Sequence, residues 1–166
     1  VLRSYAVLIE AEQLTGDAPT LMQMAAEASK RDLPTQLWLI EQRAASGDIE
    51  GTLTYYDSAM QTNPEVRTLL YPILGRAVAD PDLVGPIARL LRPNPVWAPG
   101  FYRSFAEDKE ALANFPVLMT ALGDDAMRLI PKSARVAAAV ALMDTGQLQA
   151  AETVALFGMD ASNLSD

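Results

Sequence analysis

The stretch Gly47-Asp48-Ile49-Glu50-Gly51-Thr52-Leu53-Thr54-Tyr55-Tyr56-Asp57-Ser58-Ala59-Met60-Gln61-Thr62-Asn63-Pro64 holds the pattern on which the fold turns. It opens on a glycine, which tolerates the left-handed geometry of a helix end, and closes on a proline, which cannot continue a helix. Asp48 stands where a carboxylate caps free amides and meets the positive end of a helix. Between these marks Ile49, Leu53, Tyr56 and Met60 recur near i, i+4, i+7 and i+11, a single apolar stripe at helical spacing. Upstream, Leu33 to Ser46 carries Leu37, Ile40 and Ala44, with Trp38 and Leu39 beside them, and predicts a second helix with Thr35 as its cap. A helix, a tight turn, a helix and a break make one hairpin over 33–64.

The same punctuation recurs outward in both directions. Gly16-Asp17, Gly47-Asp48, Asp80-Pro81, Asn114 with Pro116, and Gly146-Gln147 are spaced by 31, 33, 34 and 32 residues. Pro34, Pro64, Pro95 and Pro131 fall between them, at intervals of 30, 31 and 36. Two interleaved series of helix breakers at one period are the signature of stacked helical hairpins. The expectation is an all-α chain, an α-solenoid of about five antiparallel hairpins at 2–32, 33–64, 65–95, 98–131 and 132–159, forming a single domain over 1–166. Arg135 to Asp144 is rich in alanine, favours helix and shows no strand alternation; Ser133 is its expected cap. The stretch Pro93 to Gly100, with Pro93, Pro95, Pro99 and Gly100, reads as a longer connection.

Composition narrows the function classes. Half of the 166 residues are apolar and a fifth are charged, enough apolar material for a sizeable core. A net charge of −8, with the basic residues scattered, argues against nucleic acid, which needs clustered lysine and arginine. No run reaches the length of apolar residues that a membrane span needs, so no membrane insertion of this segment is expected. The chain has no histidine and no cysteine. That removes cysteine nucleophiles, serine–histidine triads, cysteine/histidine zinc sites, iron–sulfur clusters and disulfides together. No nucleophile–base pair can be assembled from what remains, so no enzyme activity, cofactor or metal is expected. The chain opens at Val1 rather than Met, as a processed or excised segment does, and any leader or anchor upstream would be invisible.

The run from Gly47 to Pro64 resembles the second half of a tetratricopeptide repeat. That family shows a glycine turn, a small residue five positions on, an aromatic pair, an alanine and a proline. Gly47, Thr52, Tyr55-Tyr56, Ala59 and Pro64 hold those places here, with Thr52 departing from the usual alanine. Lys132 to Gly158 is similar, with Ala139, Gly146, Ala151 and Gly158 at the small-residue places. The first segment keeps Gly16 and Ala28 but has Ile9 and Leu21 where small residues belong; the third keeps Gly85, the fourth Ala126 and Pro131. The resemblance implies that Tyr56 and Ala59 are buried between helices and that the first helix of each hairpin lines a concave groove. Residues on that lining would include Glu10, Gln13, Leu37, Glu41, Arg67, Leu70, Phe101, Ser104 and Asp108, with Glu41, Arg67, Leu70, Phe101, Ser104 and Asp108 as the partner-binding set and Arg67 as the anchor. The expected partner is a protein or peptide, extended or as a helix. The chain is also similar in texture to repeat proteins of the bacterial envelope. That implies a periplasmic or envelope location and a structural segment of a larger protein of polysaccharide or cell-wall assembly as the second reading.

Three constellations have structural and functional readings. Glu107-Asp108 with Glu110 lacks the loop spacing of a calcium site and reads as a solvated helix face with Lys109 interleaved. Gly123-Asp124-Asp125 reads as a helix break and restart rather than a magnesium site. Trp97, Phe101 and Phe105, at i, i+4 and i+8 with Tyr102 beside them, read as core, with Trp97 the member expected on an exposed loop. The seven methionines are scattered gap-fillers.

Overall fold

The computed structural model describes residues 33–157. Regular structure among them is helical throughout, with no strand, so the chain is all-α. The expected hairpin 2–32, its Gly16-Asp17 turn, Glu10 and Gln13 lie outside the described residues, as does everything from Gly158 onward. Among the described residues no helix is long and apolar enough to cross a membrane. Contacts divide the chain into two compact units, Val1–Val66 and Arg67–Asp166.

In the first unit, α1 (Leu33–Ala45) and α2 (Ile49–Thr62) pack against each other and a 3-10 turn follows at Pro64–Val66. Gly47 sits at φ +74°, a conformation open to glycine at little steric cost. Its amide donates to the Ala44 carbonyl at 3.0 Å and the Asp48 amide donates to the Arg43 carbonyl at 2.9 Å, closing the end of α1. Asp48 then starts α2: one oxygen accepts from the Gly51 amide at 2.9 Å, and the other accepts from Arg43 Nη1 at 2.9 Å across the turn. Of the apolar stripe Leu53, Tyr56 and Met60 are buried and Ile49 is half-buried, and Ala59 is buried beside them. The inward face of α1 differs from expectation. Thr35, Gln36, Leu39 and Ile40 are buried, while Ala44 is exposed. Gln36 explains the rotation, since its Nε2 donates to Ser58 Oγ at 2.9 Å and its Oε1 accepts from Asn63 Nδ2 at 3.1 Å. A buried amide with partners waiting on α2 turns that side of α1 inward. Thr35, expected as a cap, lies within α1 and is fully buried.

The second unit holds α3 (Arg67–Ala77), α4 (Pro81–Leu91), α5 (Ala98–Glu107), a 3-10 turn at Leu112–Asn114, α6 (Phe115–Leu122), α7 (Asp125–Leu129), α8 (Lys132–Asp144) and α9 (Leu148–Leu156). Asp80 caps α4 by accepting from the Asp82 amide at 2.9 Å, with Pro81 in the first turn. Gly123, at φ +62°, ends α6, and α7 restarts at Asp125, as the Gly-Asp-Asp run predicts. Gly146 repeats the arrangement of Gly47: φ is +77°, its amide meets the Met143 carbonyl at 3.0 Å and the Gln147 amide meets Leu142 at 2.8 Å. Ser133 lies inside the first turn of α8; the cap position is Pro131, which offers no side-chain hydrogen bond. α3 packs on α5 and α5 on α8, while α4 packs on α6 and α6 on α9. α8 and α9 form a close hairpin, whereas α3 and α4 touch less extensively.

The centre of this unit is aromatic. Trp97, Phe101, Tyr102, Phe105 and Phe115 are fully buried, and Tyr71 Oη donates to the Trp97 carbonyl at 2.9 Å. Gly100 makes room for that contact, since a Cβ there would stand 2.8 Å from Tyr71 Oη and 3.2 Å from its ring. Gly100→Ala should therefore lower stability by about 1–3 kcal/mol by forcing Tyr71 away. Ala59→Leu, at a site with no accessible surface, should cost about the same in the first unit. Denaturant midpoints at constant slope would check both, and an unchanged midpoint in either would refute the corresponding packing.

Candidate functional site

Two of the six residues in the partner-binding set read from the sequence lie in the core. Leu70 is 2% exposed and Phe101 has no exposed surface, so both belong to the core and present nothing to a partner. Phe101 lies within 6.2 Å, centroid to centroid, of Tyr71, Trp97, Tyr102 and Phe105. Its contacts with Tyr71 and Trp97 are edge-on, the arrangement aromatic pairs favour in cores. Trp97, expected on an exposed loop, sits at the N-cap of α5 and is buried in this cluster. Arg67 is half-buried at the start of α3, where its guanidinium charge acts on Tyr71. Ser104 and Asp108 are half-buried on α5 and at its end, and Glu41 is exposed on α1 in the other unit.

The acidic cluster after α5 is engaged locally. Asp108 Oδ1 accepts from the Glu110 amide at 2.9 Å and the Ala111 amide at 3.3 Å. Its other oxygen lies 3.5 Å from Arg76 Nε, and Glu110 lies 3.2 Å from Arg76 Nη1. Asp125, from the second candidate cluster, pairs with Arg128 at 2.7 Å. Among the described residues no three carboxylate, histidine or cysteine side chains gather closely enough to hold a metal.

A surface with binding character lies elsewhere, on the last described hairpin. A groove of about 580 Å³ runs between α8 and α9, lined by Lys132, Arg135, Val136, Ala139, Val140, Val154, Ala155 and Phe157. Its position follows from how α8 is sided. Ala134, Ala138 and Leu142, at i, i+4 and i+8, are buried, and they turn Val136, Val140 and Met143, at i, i+4 and i+7, outward. Val136 and Val140 are each 52% exposed and Met143 is 57% exposed; Leu148 and Leu156 on α9 extend the same character. A run of exposed apolar side chains on adjoining helices marks an interaction surface more than scattered single ones do. Both charged residues lining the groove are basic, and no carboxylate lines it. Alanine content alone predicts a helix here; the signal for the exposed surface is that two opposite stripes of that helix are both apolar.

No family model, curated protein or solved structure matches this chain.

Among the described residues, the titratable groups that depart clearly from ordinary values are tyrosines. Burial pushes the hydroxyls of Tyr56, Tyr71 and Tyr102 up, and for Tyr71 the Arg67 guanidinium pulls against burial. Tyr102 Oη is buried without a hydrogen-bond partner. The folded pKa values exceed the unfolded value of 10.0, so this contribution to stability is fully present below pH 10 and is lost as pH rises beyond it. Tyr102→Phe should leave the melting temperature at neutral pH unchanged or raise it, because it removes an unsatisfied buried hydroxyl. It should also lessen the loss of stability above pH 10. A clear drop in melting temperature at neutral pH would show that the hydroxyl contributes to the core.

Proposed function

We propose that this chain is a non-catalytic protein-interaction module, a tetratricopeptide-like solenoid of helical hairpins that holds a protein or peptide partner. The observation that carries the reading is the exposed apolar surface of α8 and α9, where five large apolar side chains are exposed and two of them, Val136 and Val140, line a groove. Support for the solenoid comes from the order of packing in the second unit. First helices α3, α5 and α8 follow one another in contact, as do second helices α4, α6 and α9. Each hairpin of such an array buries one side against its predecessor and offers the other to a successor or partner. The α1–α2 turn and the α8–α9 turn share the same glycine geometry, which fits one repeating unit.

Cross-linking mass spectrometry on the chain in its native extract tests this reading. The expected result is a protein partner whose cross-links compete away with excess unlabelled chain, whichever helices they map to. Absence of any saturable protein partner, or turnover of a small molecule by the purified chain, would overturn it.

A further inference from the structure

We draw no further inference here: the strongest candidate, the apolar groove between α8 and α9 lined by Val136, Val140, Val154 and Phe157, is an unpartnered face, and nothing in the structure shows what covers it.

Discussion

The contact between Tyr71 and the backbone at Trp97 is the constraint on which the second unit depends. Tyr71 comes from α3, Trp97 from the N-cap of α5, and the hydroxyl reaches the Trp97 carbonyl only because position 100 has no side chain. That carbonyl also accepts from the Gly100 and Phe101 amides, so one oxygen joins the tyrosine to the first turn of α5. Once it is fixed, the rings fall into place. Phe101 meets Tyr71 at 66° and Trp97 at 83°, and Phe105 meets Phe115 on α6 at 62°. Each such edge-on pair is worth about 0.5–1.5 kcal/mol beyond its buried area. They tie three helices that are distant in sequence. A chain with 7% aromatic residues has concentrated much of that content at one place.

Punctuation was the most legible part of the sequence, because a turn is written in residues that have few alternatives. Gly47 and Gly146 adopt the left-handed conformation their positions suggested, Asp48 caps α2 as expected, and Gly123 with Asp125 marks a stop and restart. Sidedness was legible where a helix has one apolar stripe, as in α2. It failed where polar residues found partners inside. Thr35 and Gln36 look like surface or cap residues in isolation, yet both are buried, and the Gln36 amide is satisfied by Ser58 and Asn63, more than twenty residues away. No local pattern encodes that pairing.

The burial of Leu70 and Phe101 has a related cause. Leu70 and Phe101 sit on first helices, and a repeat register assigns first helices to a groove. Here α5 has neighbours on two sides, α3 and α8, so its aromatic face is enclosed. Trp97 was placed outside because Pro95, Pro99 and Gly100 surround it with turn-formers. A loop residue is exposed only if nothing packs over it, and Tyr71 does, with ring centroids 6.4 Å apart.

In the first half of α8 the smaller side chains lie inside and the larger ones outside, before Leu142 continues the buried stripe. Alanines face the unit at positions 134 and 138, while the larger valines at 136 and 140 face out. A helix chosen only for its own burial would place the larger side chains inside, since buried apolar area is stabilising at about 25 cal/mol per Å². Small residues inside serve a different end. α5, which carries the buried rings of Phe101, Tyr102 and Phe105, packs against α8. Close packing there calls for alanine. The valines outside are each about half exposed. Exposed, they forgo the burial that their size could bring, and a chain under selection for solubility alone would carry polar residues at those places. Their side chains stand beside the groove that the two helices leave open.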